Sequence, residues 1–346
     1  MTAPRVLRVG FLALTDAAPF IVAEELQLFA RHGITVELHR EIGWATIREK
    51  IVYGELDAAQ APAPMLWSAQ LGLGCPPCDV LTAHVLGVHG NAITLSEALW
   101  SAGVRDGETL RVHVRERRER ALLTLGIVFP FSSHHLLLHD WLRSAGLEPD
   151  RDVRIVVVPP AQMFRNLAAG TLDGYCVGEP WNSLAVREGI GWCPAWSAAL
   201  APGHIEKVLM VTQRFAELRA AEHAALIAAL LEAAAWCDEP QNRERLAELL
   251  ADARHLNVSA RVIAHALLGR FGCGHGRIES VPDFHVFHGG ETNVPTLARA
   301  TALQHALTAA GLLSAEAGAD ATLPGRLFRE DLHRAANPPH QLHEHA

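Results

Sequence analysis

The residues with chemistry to offer are scattered along the chain, and they fall where predicted strands end. Trp44 follows Glu41-Ile42-Gly43 and opens a helix. Its indole N–H donates without presenting a lone pair to an anion, although a core tryptophan would serve the same position. Asn91, after His89-Gly90, carries an amide that either donates to a ligand or closes a turn. His134 stands in the first turn of a helix entered through Phe129-Pro130-Phe131-Ser132-Ser133. Free backbone N–H groups and the positive end of the dipole there suit a serine cap or an anion. Lys207 precedes the apolar run Val208-Leu209-Met210-Val211, as a point charge at a strand mouth or as a surface lysine. Glu179-Pro180-Trp181-Asn182 makes a polar and aromatic corner that lines a cleft or packs. Strand ends are the edge at which open parallel sheets place ligand crevices.

Other chemistries lack their signatures. The sequence contains no Gly-x-x-x-x-Gly-Lys-[Ser/Thr], no Gly-x-Gly-x-x-Gly after a strand, no Gly-x-Ser-x-Gly and no His-Glu-x-x-His. Nucleotide, hydrolase and zinc-protease readings lose most of their support. The six cysteines, at 75, 78, 176, 193, 237 and 273, do not make the framework of a small secreted domain. Cys75-Pro76-Pro77-Cys78 has metal or redox spacing, yet no second pair follows and its prolines suit a rigid loop. No metal, cofactor or catalytic residue is expected.

Across the whole chain, 346 residues with 49% hydrophobic and 20% charged side chains describe a globular protein of about two domains. Thirty Lys and Arg against 38 Asp and Glu give a net charge of -8, which disfavours direct binding of nucleic acid or an anionic membrane. A bound anion must therefore meet a local positive site. Residues 1–10 show no secretory signal, and no uninterrupted apolar run approaches the roughly 20 residues of a spanning helix. With Met1 as the natural start, the expectation is a cytoplasmic protein.

The elements that must position these residues read as α/β, then α/β, then helical. Arg5–Leu12 is a strand, Ala17–Arg31 a helix and Ile34–His39 a strand, a βαβ unit that predicts a parallel sheet. Trp44–Tyr53 is a short helix, with extended segments at Leu56–Gln60, Asp79–Leu86 and Ala92–Leu95. A second set begins near residue 100: strand Thr109–Val114, helix Ser133–Ala145, strand Val153–Val158, helix Ala161–Ala169 and strand Leu172–Val177. Beyond Val208–Val211, the segments Phe215–Trp236, Arg243–His255, Ser259–Phe271 and Thr296–Leu312 read as helices. The end of the chain, with His340, His343 and His345, reads as a solvated tail.

An ordered set of segments gives these residues a common meaning. It comprises Glu25-Leu26-Gln27-Leu28-Phe29-Ala30-Arg31-His32-Gly33-Ile34, Trp44-Ala45-Thr46-Ile47-Arg48-Glu49-Lys50, Leu56-Asp57-Ala58-Ala59-Gln60 and Gly90-Asn91-Ala92-Ile93. Phe129-Pro130, Ser133-His134 and the most specific run, Gly170-Thr171-Leu172-Asp173-Gly174-Tyr175-Cys176-Val177-Gly178-Glu179-Pro180-Trp181-Asn182, continue it. From Gly10 to about residue 290 the chain resembles the nitrate- and bicarbonate-binding proteins of ABC uptake systems, the NrtA/CmpA group. The resemblance implies an α/β, two-lobed periplasmic-binding-protein-like fold of type II, a venus flytrap, with a helical C-terminal part. Residues 1–95 with 210–335 would form one lobe, 96–209 the other, and 336–346 a flexible tail.

It also implies a site and a function. By motif the anion would be held by Trp44, Asn91, His134 and Lys207, with Gln60, Ser133, Glu179 and Trp181 lining the cleft and a protonated His134 helping Lys207 to neutralise charge. Asn91 stands where the transport proteins usually have glutamine. The missing export signal points to the NasS-like branch: a cytoplasmic, non-enzymatic nitrate/nitrite sensor that holds an RNA-binding antiterminator (NasT-like) until the anion fills the cleft. The other reading is a periplasmic substrate-binding component of a nitrate, bicarbonate or sulfonate ABC transporter. Thiamine-pyrimidine synthases share the fold, but they resemble the chain less and their cysteine-rich motif is missing.

Overall fold

The structure, a computed structural model, describes residues 6–117 and 122–337; the histidines expected in the tail lie outside the described residues. Two sheets organise the chain. Strands β1 (Leu7–Leu12), β2 (Val36–Glu41), β3 (Ala58–Pro62), β4 (Val80–Leu81) and β5 (Val85–His89) come first. Then follow β6 (Asn91–Ser96), β7 (Thr124–Ile127), β8 (Arg154–Val157), β9 (Gly174–Gly178) and β10 (Gly191–Trp196). The last are β11 (Ile205–Thr212), β12 (Arg270–Gly274), β13 (Arg277–Ser280) and β14 (His285–Val286).

The first sheet runs β14-β5-β11-β3-β1-β2, with β4 also paired to β11. Here β1 is parallel to β2 and β3, as the opening βαβ pattern predicts, while β11 is antiparallel to β3, β4 and β5. The second sheet runs β10-β6-β9-β7-β8, with β7 parallel to β8 and β9 and β6 antiparallel to β9 and β10. The chain leaves the first sheet at His89-Gly90 and returns to it between Trp196 and Ile205. Both crossings fall earlier than boundaries at 95 and 210, because β6 hydrogen-bonds wholly within the second sheet and β11 wholly within the first.

Helices close the apolar faces. The first-sheet core includes Val9, Phe11 and Val208 and extends into the C-terminal helices, where Ala220–Asp238 packs on Ala18–Glu25. Helix Ala220–Asp238 has the length and hydropathy of a membrane-spanning helix, although Glu222, His223 and Glu232 interrupt it. A second cluster, with Ile93, Leu125, Leu138 and Trp192, fills the other sheet. A third joins Ala92 and Cys193 of that sheet to Phe271, Cys273 and Phe284 of the C-terminal part. The C-terminal part thus packs on both sheets, beyond the expectation that it returns only to the first.

Several local expectations change. The segment expected as one helix over Ala17–Arg31 breaks at Gln27, at φ 56°, into Ala18–Glu25 and Leu28–Arg31, and the one expected over Arg243–His255 ends at Ala251. Thr109–Val114, read as a strand from its alternation, lies in the helix Gly107–Glu116. Asp106 and Thr109 form a reciprocal capping box, and Leu110 and Val114 bury one face at helical spacing. The segment expected as Phe215–Trp236 is two helices, Gln213–Leu218 and Ala220–Asp238. The one expected to reach Phe271 stops at Leu267, and Phe271 belongs to the β12–β13 hairpin.

Candidate functional site

The polar residues at the strand ends converge between the two sheets. Lys207, in β11, has no exposed surface. Its ammonium is paired with Asp16 at 2.8 Å, contacts the Glu206 carboxylate, and lies 5.2 Å from the centre of the Trp44 ring. Trp44 is buried as the first residue of helix Trp44–Val52, and its Nε1 has no acceptor among the described residues. Asn91, the first residue of β6, comes from the opposite sheet and donates its amide to Glu206 Oε2 at 2.5 Å. His134, buried in the first turn of helix Ser133–Ser144, places Nε2 3.5 Å from Glu206 Oε1, and neither ring nitrogen has a hydrogen-bond partner among the described residues. Ser132 caps this helix by accepting from the His135 N–H at 3.2 Å, which leaves the Ser133 hydroxyl free to donate to Glu206.

The cleft-lining residues divide. Gln60 accepts from the Leu12 N–H at 2.9 Å and donates to Asp16 Oδ1 at 2.5 Å, so it orients the carboxylate that holds Lys207. Glu179 ties the sheets together: its carbonyl accepts from the Thr15 N–H at 2.8 Å and its N–H donates to the Gly90 carbonyl at 3.1 Å. Trp181 lies outside the cluster, along a groove of about 480 Å³ that Leu12, Arg40, Pro159 and Leu256 also line. Cys75 and Cys78 are free, half-buried thiols away from these groups.

Two residues at the centre, Asp16 and Glu206, are absent from the sequence-derived set. Glu206 stayed hidden because neighbours in a strand point to opposite faces, so Glu206 and Lys207 should diverge. Register shifts in the β11–β5 pairing on both sides of Lys207 bend the strand and bring both side chains to one place. Asp16 lies in the short turn Thr15–Ala17 just beyond the end of β1, at the strand-end edge where the other site residues were found.

The electrostatics follow from burial and pairing. Burial works to raise the Glu206 carboxyl, but the Lys207 ammonium beside it holds it well below the usual carboxylate range. Burial also opposes the Lys207 charge, and Asp16 and Glu206 raise it above the ordinary lysine value. Burial pushes His134 down to about 3 and Glu179 up to about 7. His134 is therefore neutral here, which corrects the expected imidazolium: its burial outweighs the pull of Glu206.

Two sheets joined by crossings, with a buried polar cluster where they meet, define a periplasmic-binding-protein fold. The periplasmic nitrate-binding protein NrtA from Synechocystis superposes with a TM-score of 0.90 at 26% identity, over 96% of this chain and 88% of that one. The chain belongs to the NMT1-like family, whose model matches residues 2–251, and within it to the NrtA/CmpA type of substrate-binding proteins. It is 39% identical over 293 residues to the nitrate import ATP-binding protein NrtC of Synechocystis, a match that spans 84% of this chain and 44% of that protein. It is 32% identical over 279 residues to the nitrate/nitrite-binding protein NrtA of Nostoc, spanning 79% of this chain and 63% of that one. The chain thus covers less than two thirds of these curated relatives.

Proposed function

We propose that the protein is a receptor for a small monovalent oxyanion, nitrate or nitrite first and bicarbonate next, and that it serves an ABC import system. The observation that carries this reading is the pair of unpartnered donors, Trp44 Nε1 and the His134 ring, buried beside the Lys207 ammonium. A buried donor without an acceptor is costly, and a planar oxyanion with two or three acceptor oxygens answers it. Lys207 supplies the charge; Trp44, His134 and Asn91 fix the orientation. In this reading the lobes are the two sheets with their helices, and they part about His89-Gly90 and the Trp196–Ile205 connection. The relatives named for nitrate import favour the transport role.

Calorimetry with nitrate, nitrite, bicarbonate and an aliphatic sulfonate tests the ligand. Trp44→Phe keeps the ring and removes one donor, so it should weaken nitrate binding about tenfold while changing stability by less than about 1 kcal/mol. Unchanged affinity in that variant would remove Trp44 from the site. Cell fractionation and a pull-down with and without nitrate decide the setting. Capture of a membrane permease supports transport; nitrate-sensitive capture of a NasT-like RNA-binding protein from cytoplasm selects the sensor.

A further inference from the structure

Glu206 stands where the anion of the proposed function would sit. Its Oε2 accepts from the Asn91 amide at 2.5 Å and from the Ser133 hydroxyl; its Oε1 contacts the Lys207 ammonium and faces His134 Nε2 at 3.5 Å. Three of the four proposed ligand contacts are thus turned toward the protein's own carboxylate. A second carboxylate, Asp16, holds the same ammonium at 2.8 Å. Two buried negative charges already share one positive charge, and nitrate offers acceptors only. Laid beside an ionised Glu206, it would set like charges in contact out of water.

The cluster has a route for a proton. His204 Nδ1 lies 3.0 Å from the Ala201 carbonyl, an acceptor, so that nitrogen carries a hydrogen. Its Nε2 lies 3.3 Å from Glu206 Oε2, where a lone pair would oppose the carboxylate unless a second proton lies between them. A cavity of about 320 Å³, lined by Ser133, Asp140, His204 and Arg299, opens onto this contact.

We propose that Glu206 is a built-in occupant of the anion seat that must be neutralised for ligand to bind, so that the protein takes up one proton with each monovalent anion. The inference rests on the proposed function. The proton passes from solvent through His204 to Glu206 Oε2, and the new O–H changes from a rival of the anion into a donor toward it. Lys207 stays paired with Asp16, and the net charge of the buried cluster is the same before and after binding. The buried histidines and the thiol around it do not compensate. Burial keeps His134 on its helix, His89 on β5 and His285 on β14 neutral, and keeps the Cys176 thiol on β9 protonated. Asp16 and Glu179, both pushed up by burial and Glu179 to about 7, are the two rival acceptors for the proton; uptake that persists in Glu206→Gln assigns it to one of them and overturns the inference.

The test is nitrate calorimetry at about pH 7 in two buffers of different ionisation enthalpy, on the whole protein and on Glu206→Gln. The native protein should take up about one proton per nitrate, and its affinity should fall about tenfold per pH unit between about pH 6 and about pH 8. Glu206→Gln should take up almost none and bind nitrate at least about tenfold more tightly at about pH 8. Binding by the native protein without proton exchange overturns the inference whether or not the variant folds, and so does weaker binding by a folded variant. No binding of any of the tested anions by either protein overturns the receptor reading itself.

Discussion

At the scale of single residues, the cluster around Lys207 shows why a ligand set and a stability core are hard to separate here. Lys207→Ala would strip two buried carboxylates of their counter-charge and cost about 3–5 kcal/mol, so its loss of binding would report unfolding as much as chemistry. Trp44, whose N–H serves no other group among the described residues, is the cleaner probe. Glu179 gives a pH test with a definite sign. Its folded value of about 7 lies above the ordinary glutamate value of 4.5, so the native state binds more protons between these values and stability falls as pH rises through that window. Glu179→Gln should therefore be more stable than the native protein by up to about 3 kcal/mol at about pH 8, with the gain gone at about pH 4; urea melts at both values check it. His134 has the opposite sign: held at about 3 against 6.5, it costs stability as pH falls below 6.5. The sequence made Trp44, Asn91, His134 and Lys207 visible because donors at strand mouths are a local pattern. Glu206 and Asp16 were not, since a bulged register and the meeting of two sheets are properties of the folded chain.

At the scale of elements, the crossing between the sheets is made by His89 and Gly90, both at positive φ, 65° and 91°. A Cβ at Gly90 would stand 2.6 Å from Cε1 and 2.7 Å from Nδ1 of the buried His285 ring. That ring is packed beside Phe284 and Phe287 and has little room to move. Gly90→Ala should cost about 2–4 kcal/mol, read by urea denaturation, because backbone strain and overpacking act together. The second bridge between the parts is the β12–β13 hairpin. Gly274, at φ 89°, would place a Cβ 2.9 Å from Trp192 Cβ; His275 stacks on Trp100 at 3.6 Å, and Arg277 donates to the Cys193 carbonyl at 2.8 Å. The opening βαβ unit and the helix Ser133–Ser144 were legible because period and caps agree there. The hairpin was not, since Phe271 continues the apolar spacing of the helix before it. Gly107–Glu116 misled because Thr109-Leu110-Arg111-Val112-His113-Val114 alternates, and only the capping box at Asp106 marks it as a helix start.

At the scale of the whole molecule, the two sheets meet over a polar cluster that water does not reach: Lys207, His134, Asn91 and Gln60 carry no exposed surface. The hydrogen bond from the Thr15 N–H to the Glu179 carbonyl spans the junction, and Asp16, next to Thr15, holds the central ammonium. On the proposed function, a bound anion leaves only when that junction parts. Its residence time is then the property of a latch, and the identity of the ion should matter little to it. Stopped-flow tryptophan fluorescence should give nitrate and nitrite dissociation rates within about threefold of each other even where their affinities differ about tenfold, with the difference carried by association. A permease that pried the Thr15–Glu179 contact open would release the cargo on docking, whichever anion it was.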